Sequence, residues 1–131
     1  MTTELTVLAL GAILLLVHIL LAGHFKTKQY GVDWNMGPRD GEQPPLGDIA
    51  GRLDRARANY METFPIAIIA LLGVTVADRT SDVTAIASWT WLAGRAVYLP
   101  VYWAGIRGLR SAIWMVATLA LLVVLGALLL G

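Results

Sequence analysis

Apolar residues occupy four long runs of this chain, and short polar segments separate them. The runs cover about residues 5–25, 52–77, 83–106 and 112–130. A helix that crosses a bilayer needs about twenty mostly apolar residues at 1.5 Å each, and all four runs are long enough. The pattern predicts an all-α fold, an integral membrane four-helix bundle that forms one domain over residues 1–131.

Polar and charged residues at the start of the second run are regularly spaced. At 100° per residue, steps of four, three, four and three place five polar residues on one stripe about 80° wide: Asp48, Arg52, Arg55, Asn59 and Glu62. We call these five residues the polar seam. The apolar stretch after Glu62 is too short to cross a bilayer alone, so we expect the span to begin inside the seam. Ionisable groups at membrane depth are costly, which makes the seam a candidate functional site.

The third run carries one charge, Arg95, near its centre. Steps of four, three and four place it on one helical face with Trp91, Tyr98 and Tyr102. The connection from Gln29 to Gly47 is rich in Gly, Pro, Asp and Asn, and we expect it to be an interfacial loop without a regular element. Asp48 is then expected to cap the second helix.

Composition excludes several classes of protein. The chain is 57% hydrophobic and 15% charged, whereas about a quarter of the residues in a soluble domain are charged. Cysteine is absent, so a disulfide framework, a thiolate metal site and a protein thiol nucleophile are excluded. No zinc-type spacing, phosphate loop or serine elbow is present, and we expect no metal. The net charge of +1 gives no reason to expect nucleic acid.

Lysine and arginine are distributed unevenly between the two ends of the predicted bundle. The first and third connections are flanked by Lys26, Lys28, Arg39, Arg52, Arg55, Arg57, Arg107 and Arg110, whereas the second has only Arg79. The positive-inside rule predicts that the first and third connections are cytoplasmic and that both termini lie on the opposite face.

The charged end could bind a small zwitterionic ligand with several carboxylates. Arginine pairs with carboxylates, Glu62 can accept from an amino group, and Asn59 can donate or accept. Other interpretations stay open at this point. Arg52 and Arg57 fit interfacial charges, Glu62 fits a structural partner of Arg95, Tyr98 fits a packing residue, and His18 fits a hydrogen-bonded residue of the bundle interior.

Two motifs of defined spacing are present, one in the second run and one from the third run to the link before the fourth. The first is R-x-x-R-A-x-x-N-x-x-E-x-x-P, present as Arg52, Arg55, Ala56, Asn59, Glu62 and Pro65. The second comprises Arg95, Tyr102 seven residues later, Arg107, and the pair Arg110 and Ser111 at the start of the last helix. These motifs resemble those of the MAPEG family, the membrane-associated proteins in eicosanoid and glutathione metabolism, in a bacterial-type form. The resemblance covers nearly the whole chain.

The resemblance implies a homotrimer that binds glutathione between adjacent subunits. Arg55, Asn59 and Glu62 would hold its glutamyl end, and Arg95 and Tyr102 would line the same pocket. Arg110, with Ser111 beside it, would lower the pKa of the thiol so that thiolate forms near neutral pH. A location in a bacterial inner membrane follows from the same resemblance.

We therefore expect glutathione-dependent transfer or peroxide reduction on a lipophilic substrate that enters from the lipid bilayer. The alternative is a non-catalytic membrane protein of the same fold that uses the polar seam for oligomer assembly or for another anionic ligand.

Overall fold

The computed structural model describes all residues 1–131 and is entirely helical outside its connections. Its helices are α1 (Thr3–Tyr30), α2 (Val32–Met36), α3 (Asp48–Val76), α4 (Asp82–Ala104) and α5 (Leu109–Leu130). The all-α prediction is confirmed, with five helices instead of four. The four long ones correspond to the four apolar runs.

Three of the helices are long and apolar enough to cross a membrane: α1, α3 and α5. Their length and composition indicate an integral membrane protein. Helix α4 has 23 residues, about 35 Å at 1.5 Å each, but its aromatic, hydroxyl and charged side chains make it less apolar. A fourth crossing by α4 therefore stays a prediction.

The first connection is more ordered than the sequence indicated. Helix α1 continues to Tyr30, and the short α2 follows Gly31, whose φ of +100° breaks the helix at a value that favours glycine. Asn35 Nδ2 donates to Thr27 Oγ1 at 2.8 Å, which ties α2 to the end of α1. The expectation of no regular element here is thus wrong, because a contact with α1 outweighs the local composition.

The start of α3 also differs by one residue from the prediction. Gly47 is the N-cap and Asp48 is the first helical residue. Gly47 N donates to Gln29 Oε1 at 2.8 Å, so the side chain of α1 fixes the chain where α3 begins. Asp48 in the first turn still complements the partial positive charge of the helix N-terminus.

An aromatic layer joins the helices at mid-height. Tyr60 donates its hydroxyl to the Gly11 carbonyl at 2.5 Å and stacks on His18, with ring centroids 4.8 Å apart. The predicted interior position of His18 is confirmed, but neither ring nitrogen has a hydrogen-bond partner within the chain. Phe64 and Trp91 complete the layer.

Replacing Gly11 by alanine tests this packing. A Cβ at Gly11 would lie 2.7 Å from Trp91 Cη2 and 3.3 Å from Phe64 Cε1, and the Trp91 side chain is only 1% exposed. We expect the free energy of unfolding in detergent to fall by roughly 1–3 kcal/mol, the usual cost of overpacking. Gly23 in the same helix has nothing within 4 Å of such a Cβ, so Gly23→Ala is the control. Equal midpoints of thermal unfolding for the two variants would contradict the packing described.

Most of the surface is left uncovered by the single chain. Only 26 of 131 residues are buried, and large apolar side chains remain exposed along the outside of the bundle. Leu20 is 69% exposed, Val76 78% and Ile69 60%. Such a surface needs lipid or other subunits around it.

Candidate functional site

A cleft opens at the end of the bundle that carries most of the basic residues. Its volume is about 270 Å³, and it lies between α3, α4 and the start of α5. Its lining residues are Arg55, Ala58, Asn59, Glu62, Tyr98, Tyr102 and Arg110. Five of these seven were predicted as site residues.

Helix α3 supplies the first wall of the cleft, for a local reason. Arg55, Asn59 and Glu62 are spaced by four and three residues, so a continuous helix brings them to one side. Ala58 between them is small and leaves room above the backbone. Helices α4 and α5 bring two residues of the second motif, Tyr102 and Arg110, to the same place.

Tyr102 joins the three helices around the cleft. Arg55 Nε donates to its hydroxyl at 3.2 Å, and the Arg110 guanidinium carbon lies 4.9 Å from the centroid of its ring. The ring face attracts the Arg110 charge, while the hydroxyl accepts from Arg55 and keeps its own hydrogen to donate. Two cations are thereby held on one side chain of α4.

Arg95 lies one layer behind this cleft rather than on its wall. It is 2% exposed, and its Nη1 donates to Asn59 Oδ1 at 2.9 Å. Its guanidinium carbon lies 4.2 Å from the Tyr98 ring and 5.1 Å from the Tyr60 ring. The Nε and Nη2 atoms have no hydrogen-bond partner. Arg95 therefore contacts the lining of the cleft through Asn59 and Tyr98 instead of lining it directly.

Glu62 forms no ion pair with Arg95. The ion pairs of the chain involve Asp54, which contacts Lys26 Nζ at 2.7 Å and Arg57 Nη2 at 3.0 Å. Glu62 is exposed at the edge of the cleft, so its carboxylate is free to accept from a ligand. The interpretation of Glu62 as a structural partner of Arg95 has no support in these contacts.

The remaining basic residues of the first motif have contacts of their own. Arg52 Nη1 donates to the Trp103 carbonyl at 3.3 Å, near the end of α4, where unpaired carbonyls favour a cation. Arg57 Nε and Nη2 both donate to Asp54 Oδ1. Neither arginine lines the cleft.

Ser111 does not reach the cleft. It is exposed and follows Arg110 in the first turn of α5, and a helix turns by 100° per residue, which carries its side chain to another side. Arg107 is also exposed and lies in the connection before α5. Arg110 is thus the basic residue that the last helix brings to the cleft.

Besides the small Ala58, one lining residue of the cleft was not predicted as a site residue, Tyr98. It was interpreted as a packing residue, and it is indeed buried, but it also lines the cleft and lies over Arg95. The available signal was its position between Arg95 and Tyr102 on one face of α4. No group of His, Asp and Glu that could hold a metal ion is present.

A model of the MAPEG family matches residues 4–130, nearly the whole chain. The chain belongs to the MAPEG family. No curated protein and no solved structure matches it. Membership supports a membrane protein of glutathione and eicosanoid metabolism, and both MAPEG motifs quoted above fall inside the matched residues.

Proposed function

We propose that this MAPEG protein is a glutathione-dependent membrane transferase or peroxidase that acts on a lipophilic electrophile. The observation that carries the proposal is the cleft of about 270 Å³ that gathers Arg55, Asn59, Glu62, Tyr102 and Arg110 from three helices. Glutathione would supply the sulfur nucleophile, which the cysteine-free chain lacks.

The charges in the cleft complement those of glutathione. The tripeptide carries two carboxylates and one ammonium group. The cleft offers Arg55 for a carboxylate and one free carboxylate, Glu62, for the ammonium group, which leaves Arg110 for the sulfur. Arginine binds carboxylates through paired hydrogen bonds, and a carboxylate accepts from an ammonium group. Family membership and this complementarity together favour glutathione over other anionic ligands.

Arg110 is the residue that we propose to activate the thiol. A free thiol has a pKa of about 8.5, so most of it is protonated near pH 7. A nearby positive charge favours the thiolate, and Arg110 has no carboxylate partner in the chain that would neutralise it. It also lies in the first turn of α5, where the helix N-terminus adds partial positive charge.

An apolar groove runs between α4 and α5 and shares no lining residue with the cleft. It has a volume of about 480 Å³ and is lined by Thr90, Ala93, Gly94, Val97, Ala112, Ile113 and Val116. Ala112 and Ile113 fall within one turn of Arg110. We propose this groove as a binding place for the lipophilic substrate on the side of the bilayer.

The homotrimer is part of the same proposal. Arg55, Glu62 and Arg110 are exposed in the single chain, whereas a site at membrane depth must be shielded from lipid. A second copy packed against the exposed apolar flank of α3 would cover them. The homotrimer implied by the family provides such a neighbour for each cleft.

Turnover tests the proposed function. Purified protein in detergent should form the glutathione conjugate of chlorodinitrobenzene, or reduce a lipid hydroperoxide with oxidation of glutathione. Substrate consumption no faster than in protein-free micelles, for both reactions, would favour the non-catalytic alternative.

Cysteine labelling tests the proposed sidedness, because the chain has no native cysteine. Gln43 lies in the first connection and Thr80 in the second, and both are exposed. We expect Gln43→Cys to react with an impermeant thiol reagent only after the membrane is opened, and Thr80→Cys to react in intact cells. The reverse pattern would place the cleft on the non-cytoplasmic side.

A further inference from the structure

The most unusual buried contact in the chain joins a guanidinium to an amide. Arg95 in α4 donates through Nη1 to Asn59 Oδ1 in α3 at 2.9 Å. Arg95 is 2% exposed and forms no ion pair. Its only hydrogen-bond partner is thus a neutral side chain, although a buried cation is usually paired with a carboxylate.

This contact determines which end of the Asn59 amide faces the cleft. A guanidinium has five donors and no acceptor, so the group that meets Arg95 must be the amide oxygen. The amide is planar with its NH2 group on the other side, and Nδ2 donates to no group of the chain. Asn59 lines the cleft, which therefore receives a donor.

Arg95 is itself held in place from two sides. Its guanidinium carbon lies 4.2 Å from the Tyr98 ring and 5.1 Å from the Tyr60 ring, distances at which a cation is attracted to an aromatic face. Tyr60 is fixed in turn by its 2.5 Å hydrogen bond to the Gly11 carbonyl of α1. Three helices thus hold the orientation of one amide.

We propose that Arg95 is a positioning residue that locks the Asn59 amide, so that the cleft offers its NH2 group to an accepting ligand group. The accepting group is a carboxylate or carbonyl oxygen. With Arg55, Arg110 and the Tyr102 hydroxyl also available as donors, Glu62 is the only carboxylate acceptor at the cleft. The site then selects a ligand with several acceptors and one ammonium group. The identification of that ligand as glutathione rests on the proposed function, whereas the amide orientation does not.

Nuclear magnetic resonance can follow the amide directly. Asn35 and Asn59 are the only two asparagines of the chain, so protein labelled with ¹⁵N-asparagine gives two side-chain NH2 signals. We expect the Asn59 signal to change in ligand-free Arg95→Met, because its amide is released. The Asn35 signal, which belongs to the contact with Thr27, should stay in place. An unchanged Asn59 signal would overturn the proposal without reference to glutathione.

Three variants test whether the orientation of the Asn59 amide affects glutathione binding. Arg95→Met fills the same space without a donor and should weaken glutathione binding by roughly 10-fold, the scale of one hydrogen bond to a charged group. Arg95→Lys keeps a donor and should restore part of that loss. Asn59→Asp keeps an oxygen for Arg95 but presents a second oxygen to the cleft, so it should weaken binding at least as much as Arg95→Met.

The thermal stability of the variants distinguishes a positioning role of Arg95 from a structural one. Arg95→Met removes a buried unpaired charge, so its thermal midpoint in detergent should equal or exceed that of the unmodified protein. If both Arg95→Met and Arg95→Lys lose cooperative unfolding together with binding, the role is structural and the proposal fails. Binding within twofold of the unmodified protein in Arg95→Met also overturns it. If the unmodified protein binds no glutathione, the proposed function fails, and the ligand-free signal still decides the orientation.

Discussion

Replacing Arg110 by alanine is expected to lower turnover with chlorodinitrobenzene by roughly 100-fold, the usual cost of removing one preorganised charge or donor. Glutathione affinity should change only a few-fold, because Arg55, Asn59 and Glu62 remain in the cleft. The thiolate absorbance near 240 nm in the bound complex should largely disappear. The measurements are steady-state rates and a difference spectrum at saturating glutathione.

Arg107→Ala is the matched control for this variant. Arg107 lies three residues earlier, is exposed and does not line the cleft, so its removal should leave both the rate and the thiolate signal nearly unchanged. Full thiolate signal and full rate in Arg110→Ala would exclude Arg110 as the activating residue. Equal losses in the two variants would indicate a general effect of charge at this end of the bundle.

Glu62→Gln is expected to weaken glutathione binding by about 1.5–3 kcal/mol, which corresponds to roughly 10- to 150-fold in the dissociation constant. The reason is that Glu62 is the carboxylate available to the ammonium group and has no ion-pair partner in the chain. For the same reason the oligomer and the thermal midpoint should be preserved. Isothermal titration and size exclusion in detergent measure the two effects separately.

Glu42→Gln provides the matched control, since Glu42 is an exposed glutamate of the first connection and lies outside the cleft. Loss of the oligomer in Glu62→Gln, with no separable defect in binding, would support the alternative in which the polar seam serves assembly. Retention of full affinity in Glu62→Gln would remove Glu62 from the site.

The wall of the cleft formed by α3 could be predicted because it depends only on helical geometry. Arg55, Asn59 and Glu62 face one way whatever the other helices do, so their spacing was sufficient. The position of Arg110 is different, since it depends on how α5 packs beside α3. Arg110 was predicted as a site residue from the family resemblance, and in the structure it lines the same cleft.

The position of Arg95 behind the cleft could not be predicted from its spacing in the sequence. Its face on α4 was predicted, but whether it lines the cleft or lies behind it depends on the rotation of α4 against α3. The same rotation decides that its partner is Asn59 instead of Glu62. Helix α2 was missed because its composition favours a loop, and its bond to Thr27 involves a residue eight positions away.

The central claim is that the cleft binds glutathione and ionises its thiol. The most direct test is titration of the purified, unmodified protein with glutathione near pH 7, followed by difference absorbance near 240 nm. We predict saturable binding together with a rise in thiolate absorbance that S-methylglutathione, which has no ionisable thiol, does not produce. No saturable binding would contradict the proposed function, and saturable binding without the thiolate signal would contradict the enzymatic activity.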